Sequence, residues 1–191
     1  SSANSKTIMF QGSTSSFVWM QTSSGGDLLW TVSDSSSIKF SETWDTNFAA
    51  DTWYHVVIVM DGSGSNYDAK CYVNGTEVSS TVQGVYPTSS SLTFGGSKLS
   101  FGVLLNAIFY AILLDEIAAW SVALDANNAS ALANLGQAPT SNNGNYTQSS
   151  NLWGLYRFEE GQGTTASDSS GNSRMDITLV NATFAENVRL I

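Results

Sequence analysis

The residue pairs with chemistry suited to acid and base work are Asp115-Glu116 and Glu159-Glu160. Breaking a glycosidic bond takes two carboxylates that face each other, about 5–5.5 Å apart when configuration is retained. Neighbouring residues of a strand point to opposite faces, so neither adjacent pair forms such a couple. His55 is the one histidine, which leaves no second imidazole for a metal pair or a proton shuttle. On a strand flanked by Trp53 it reads as a packed, hydrogen-bonded residue. Cys71 is the one cysteine, so no internal disulfide forms. Between Lys70 and Tyr72 it reads as a small buried hydrophobe rather than a nucleophile. Catalysis is not expected from this set.

The elements that carry these residues are short apolar or alternating runs, bounded by Gly, Ser, Asn and Asp. They are Thr7–Gln11, Phe17–Gln21, Leu28–Val32, Ser37–Phe40, Trp53–Met60 and Lys70–Val73. Their regular spacing and their Val, Ile, Thr and aromatic content predict an all-β sandwich. Asn74-Gly75 between two such runs supplies the two positive φ angles of a type I′ turn, which predicts a two-residue hairpin. One helix is expected from about Asp125 to Leu135, capped by Asp125 and stopped by Gly136 and Pro139, with Leu124, Ala131, Leu132 and Leu135 on its packed face. Residues 139–151 have no apolar periodicity and read as a loop or linker. The chain is therefore divided into a core at 1–138, this connection, and a strand segment at 152–191 that completes or extends the sandwich.

Composition narrows the partners. A net charge of -9, with seven Lys and Arg scattered along 191 residues, provides no basic face for phosphates, and nucleic acid is not expected. The most apolar run, Phe101–Leu114, is shorter than the roughly 17–25 residues of a membrane span and is broken by Asn106, so no membrane insertion is expected. The polar Ser1–Lys6 start, without an initiator Met, reads as the inside of a longer or processed product.

Three motifs resemble the laminin-G-like (type 3) jelly rolls of the concanavalin A-like lectin and glucanase superfamily, of the kind found in phage and bacterial surface proteins. The first is Asp51-Thr-Trp53-Tyr-His55-Val-Val-Ile-Val-Met-Asp61 with Cys71-Tyr-Val-Asn-Gly75. The second is Leu114-Asp-Glu-Ile117-Ala-Ala-Trp120-Ser-Val-Ala-Leu124. The third is Leu152-Trp-Gly-Leu-Tyr156-Arg-Phe-Glu-Glu-Gly161 with Asp168-Ser-Ser-Gly-Asn172. The resemblance implies an all-β, concanavalin A-like jelly-roll sandwich of two antiparallel sheets with one short helix. In the usual module the third segment comes first; here it comes last, and the family's early strands have no match before Thr7. A strand supplied by a partner chain would fill that place, since an open sheet edge is a template for another strand.

The resemblance also implies chemistry. The superfamily's glucanases carry Glu-x-Asp-x-x-Glu on one strand face, and that pattern does not occur here. Related jelly rolls hold calcium with Asp and Asn oxygens, for which Asp61, Asn66 and Asp68, and Asp168 and Asn172, are the candidates. Calcium takes about 6–8 oxygen ligands, and neither cluster supplies them alone, so turn capping is the favoured role. No cofactor is required on this reading; Ca2+ is the one considered. Among Trp19, Trp30, Trp44, Trp53, Trp120 and Trp153, those at 53, 120 and 153 belong to strand motifs and are expected in the core. Trp44, in the polar stretch 41–47, is the expected surface platform for a ligand. The apolar Phe101–Leu114 run departs from the family, and Leu104, Ile108, Tyr110 and Ile112 are expected to form an assembly contact. The function expected is a non-catalytic binding and assembly module of an extracellular surface or virion protein, such as a phage fibre, decoration or adhesion protein. Its partners would be other copies, other structural proteins of the assembly, or surface glycans. A secreted carbohydrate-binding lectin module, calcium-dependent or not, is the alternative, and a glycan-cleaving enzyme the weakest one.

Overall fold

The computed structural model describes residues 5–12, 16–34, 37–65, 67–83, 99–104, 108–109 and 111–184. Two compact units divide the chain, Ser1–Ile112 and Leu113–Ile191. The boundaries expected at 138 and 151 both fall inside the second unit.

The first unit begins with four antiparallel strands in chain order, β1 (Lys6–Gly12), β2 (Phe17–Thr22), β3 (Leu28–Asp34) and β4 (Ser37–Trp44). A hairpin layer follows, β5 (Val56–Asp61), β6 (Asp68–Val73) and β7 (Thr76–Val78), and then β8 (Ser80–Gln83) and β9 (Leu99–Phe101). The larger sheet has the order β8-β4-β3-β2-β1-β9, and β5-β6-β7 form the smaller one. Side chains two apart share a face, so Leu28, Trp30 and Val32 of β3 lie beside Phe40, Glu42 and Trp44 of β4. One core cluster joins Leu28 and Trp44 of the larger sheet to Cys71 of the smaller, with Ile58, Val73 and Val78 packed against it. A second joins Val18, Val32 and Phe40 to Met60 and Ala69. Two sheets facing each other across shared apolar side chains are a β-sandwich.

Trp44 therefore corrects the sequence reading. It is 1% exposed and cannot serve as a surface platform. The polar residues around it suggested a turn, but β4 runs on to Trp44, and the alternation Phe40, Glu42, Trp44 carries its ring onto the core face. At the β6–β7 turn, Asn74 and Gly75 have φ angles of 50° and 80°, the conformation the Asn-Gly pair predicts. Gly26 has a different reason to lack a side chain: a Cβ there would lie 2.6 Å from the Phe48 carbonyl oxygen. The close approach lets the Gly26 carbonyl accept hydrogen bonds from the Phe48 N–H and the Thr46 hydroxyl.

The apolar run after β9 is not one strand. It forms β10 (Val103–Leu104) and β11 (Ile108–Phe109), paired antiparallel with Leu104 opposite Ile108. Tyr110 lies outside the described residues, and Ile112 is half-buried.

In the second unit, β12 (Ile117–Trp120) is followed by α1 (Ala126–Leu135), a 3-10 turn at Ser149–Asn151, and β13 (Leu152–Tyr156), β14 (Thr165–Ala166) and β15 (Ile177–Thr178). β12 pairs antiparallel with β13, so the late-placed third motif supplies a strand partner for the second from within the chain. The Asp125 carboxylate caps α1 by accepting the Asn128 N–H at 2.8 Å, and Gly136 ends it with φ 66°. The packed face is Leu124, Asn128, Ala129 and Leu132; Leu135, expected there, is exposed. Asn128 is buried because its amide ties the helix to the following stretch, where its oxygen accepts the Thr147 N–H at 2.9 Å. Within that stretch Tyr146 is fully buried, and its hydroxyl accepts a hydrogen bond from the Trp120 indole at 2.9 Å. A single aromatic fixed by tertiary contacts leaves no periodic signal, which is why 139–151 reads as an unstructured connection in sequence. Among the described residues no helix is long and apolar enough to cross a membrane.

Candidate functional site

The carboxylates named from sequence fall in separate places, and most are occupied by protein groups. In the first unit Asp61 and Asp68 are register partners at the connected end of β5 and β6. Asp61 accepts the Ser63 N–H at 2.8 Å, and the Ser63 backbone and hydroxyl together hold its carboxyl below the usual carboxylate range. Asn66 lies outside the described residues. His55, at the entry to β5, exchanges two hydrogen bonds with Asn74 of the hairpin: its N–H donates to Asn74 Oδ1, and its carbonyl accepts from the Asn74 N–H. Burial lowers the pKa of its ring, and Nδ1 is buried without a hydrogen-bond partner among the described residues. Cys71 is fully buried, and burial pushes its thiol up to about 12, which removes the nucleophilic thiolate at neutral pH.

In the second unit the Asp115-Glu116 motif is a structural clamp. Arg157 Nη1 donates to both Glu116 oxygens, at 2.9 and 3.1 Å, and Nη2 donates to the Ala138 carbonyl at 2.9 Å. One arginine thus joins the start of β12, the end of β13 and the segment after α1. Burial raises the Glu116 pKa against the opposing pull of Arg157. Burial also raises that of Asp115, assisted by the charge of Glu159 and opposed by the Glu116 N–H. This pairing of Glu116 with Arg157 could not be read from spacing, because 41 residues separate the two.

Asp168 and Asn172 sit on a loop that lies along the outer edge of β13. The Asp168 carboxylate accepts the N–H groups of Leu155, Ser170 and Arg174, at 3.0, 2.9 and 2.8 Å, and the Ser170 hydroxyl at 2.9 Å. Burial alone would raise its pKa, but these donors outweigh it and bring the value to about 2. The Asn172 amide nitrogen donates to the Leu152 carbonyl at 2.6 Å, and Arg174 Nε donates to the Trp153 carbonyl at 2.9 Å. Side chains thereby satisfy the edge of β13 that would otherwise accept another strand. Both residues act here through hydrogen bonds that shape the turn. Among the described residues no three His, Cys, Asp or Glu side chains gather in metal-binding geometry.

Sequence reasoning missed the surface that remains open. Trp153, expected in the core, is 47% exposed, while its neighbours Leu152, Gly154 and Leu155 are buried. The Arg174 guanidinium lies over the indole, 4.6 Å from the ring centroid. Strand parity gave no signal, because Leu155 has the parity of Trp153 and is fully buried; Trp153 is the extra residue where the register shifts, with Ala119 opposite Gly154 and Trp120 opposite Leu152.

Among solved structures, an S-layer domain-containing protein from Clostridium thermocellum is similar at 19% identity, with a TM-score of 0.28. The alignment covers 69% of this chain and 64% of that one. A likeness of that size carries no argument about function. No curated protein is significantly similar to the chain. A family model, described as the concanavalin A-like lectin/glucanases superfamily, matches residues 1–130 and takes in the sandwich, the Asn-Gly hairpin and the Asp-Glu strand. With the two facing antiparallel sheets and that match over most of its length, the chain belongs to the laminin G-like family of the concanavalin A-like lectin/glucanases superfamily.

Proposed function

We propose that the chain is a non-catalytic binding and assembly module of an extracellular surface or virion structural protein, with a fibre, decoration or adhesion protein as its setting. Laminin G-like domains are typically non-catalytic binding modules. The observation that carries the reading is the use made of the carboxylates: Glu116 is clamped by Arg157, and Asp168 is saturated by four donors. Groups committed in this way build a scaffold and are not free to exchange protons with a substrate. On this reading the partners are other copies or other structural proteins of the assembly, and Leu104, Ile108, Tyr110 and Ile112 are the residues proposed to meet them. The full chain is then expected to co-purify in fixed stoichiometry with a particle or cell-surface fraction, to self-associate as concentration rises, and to release no sugar from polysaccharides. Turnover of any polysaccharide would overturn the non-catalytic reading. A monodisperse monomer at high concentration, absent from any particle, would overturn the assembly role.

A further inference from the structure

The chain holds two Asn-Gly pairs, Asn74-Gly75 and Asn143-Gly144. Such a pair carries its own chemistry, since the glycine nitrogen can attack the asparagine Cγ with no Cβ on the glycine to shield it. Both pairs sit in two-residue turns, but the turns hold the reacting groups differently. At the β6–β7 turn Asn74 lies in the left-handed region, with φ 50°. Its Oδ1 accepts the His55 N–H at 3.0 Å, and its own N–H donates to the His55 carbonyl at 2.8 Å. Turning that amide towards Gly75 would break the side-chain bond.

Asn143 opens the other turn. Its N–H donates to the Tyr146 carbonyl at 2.9 Å, and the Tyr146 N–H donates to the Asn143 carbonyl at 3.0 Å. Gly144, at the first central position, has φ 57°, while Asn145 has no positive φ, which makes a type II′ turn. Asn143, Gly144 and Asn145 are all exposed. The adjacent Asn142 is held by Ser149, whose N–H and hydroxyl donate to its Oδ1 at 3.1 and 2.7 Å. Among the described residues the Asn143 side chain makes no hydrogen bond, and the Gly144 N–H donates to no group. Nucleophile and electrophile are both free and open to water.

We propose that Asn143-Gly144 is a site of spontaneous deamidation, selected over Asn74-Gly75 by the fold. The Gly144 nitrogen gives its proton to solvent and bonds to Asn143 Cγ; the Cγ–Nδ2 bond breaks, and Nδ2 leaves as ammonia. Water then opens the resulting succinimide at either carbonyl. One opening leaves aspartate; the other leaves isoaspartate, with the backbone rerouted through Cβ and Cγ. The isoaspartate form lengthens the turn by one backbone carbon and shifts the groups that pair with residue 146. Tyr146 is fully buried, and its hydroxyl accepts the Trp120 indole of β12. A chemical change at an exposed turn therefore acts on a buried anchor of the β12–β13 pair.

The test keeps the folded full chain in mildly alkaline buffer and follows both sites over time by peptide mass spectrometry with isoaspartate detection. Position 143 should convert about tenfold faster than position 74, the ratio given by a barrier difference of one net hydrogen bond. In denaturant the two rates should converge. Asn143→Gln, whose longer side chain must close a larger ring, should stop conversion there without changing the melting temperature of the fresh protein. Hydrogen exchange at Tyr146 should accelerate in the aged native chain and stay slow in the aged variant. Equal rates in the folded chain, faster conversion at position 74, or no conversion at 143 while the unfolded chain converts would overturn the site. Unchanged exchange at Tyr146 once isoaspartate has formed would overturn its coupling to the buried tyrosine.

Discussion

Asp168 and His55 both have folded-state pKa values lowered from the ordinary ones, and both act on stability in the same direction. The folded-state pKa of Asp168, about 2, lies below the ordinary aspartate value of 3.8. Its contribution is therefore present above pH 4 and is lost as pH falls from about 4 towards 2. Asp168→Ala leaves the Leu155, Ser170 and Arg174 N–H groups without their acceptor, and should cost about 2–3 kcal/mol in denaturant titration. The same variant should flatten the acid limb of the stability curve. His55 is also lowered, from 6.5, by burial, so the folded state favours the neutral ring. Stability should accordingly decline as pH falls below about 6.5, and His55→Gln should remove that part of the slope when melting temperatures at pH 7.5 and 5.5 are compared. In sequence His55 reads as a packed residue and Asp168 as a turn cap, and the hydrogen bonds of both fit those roles.

At the scale of elements, the β6–β7 hairpin and the β4 strand carry the sandwich. Asn74 joins two roles, a positive φ in the turn and an oxygen that accepts the His55 N–H at 3.0 Å. Asn74→Ala should cost about 1–2 kcal/mol by denaturation, since it strains the turn and removes that bond. Trp44→Ala opens a large hole between Leu28 and Cys71 and should cost about 3–5 kcal/mol, a loss that a surface residue would not produce. The hairpin and α1 were legible because Asn-Gly, Asp125 and Gly136 act on their immediate neighbours. The face on which Trp44 lies was not, because Ser, Glu, Thr, Asp and Asn around it mask a strand whose period becomes clear only when it pairs with β3.

For the whole molecule, the chain divides at 112, and the 152–191 segment expected to complete or extend the sandwich supplies β13, the partner of β12. Removing residues 152–191 takes away the strand partner of β12. Hydrogen exchange at Ala118 and Trp120 should then accelerate, whereas exchange in β5 and β6 should change little; equal acceleration in both units would contradict the division. The contact between Trp153 and Arg174 also emerged only at this scale. Trp153 and Arg174 are 21 positions apart and meet because the 168–176 loop is laid along β13 by Asp168 and Asn172.

By itself the sequence determined the features set by nearest neighbours: the alternating strands, the type I′ turn, the helix caps, and through its motifs the laminin G-like family. Only the tertiary structure decided which tryptophan is core and which is surface, and which carboxylates are free. A strand has two faces of equal local merit, and a carboxylate looks alike whether it is solvated or clamped. The choice belongs to the partner strand that covers one face and to the distant N–H or guanidinium that arrives at the carboxylate, and those are fixed by packing rather than by spacing.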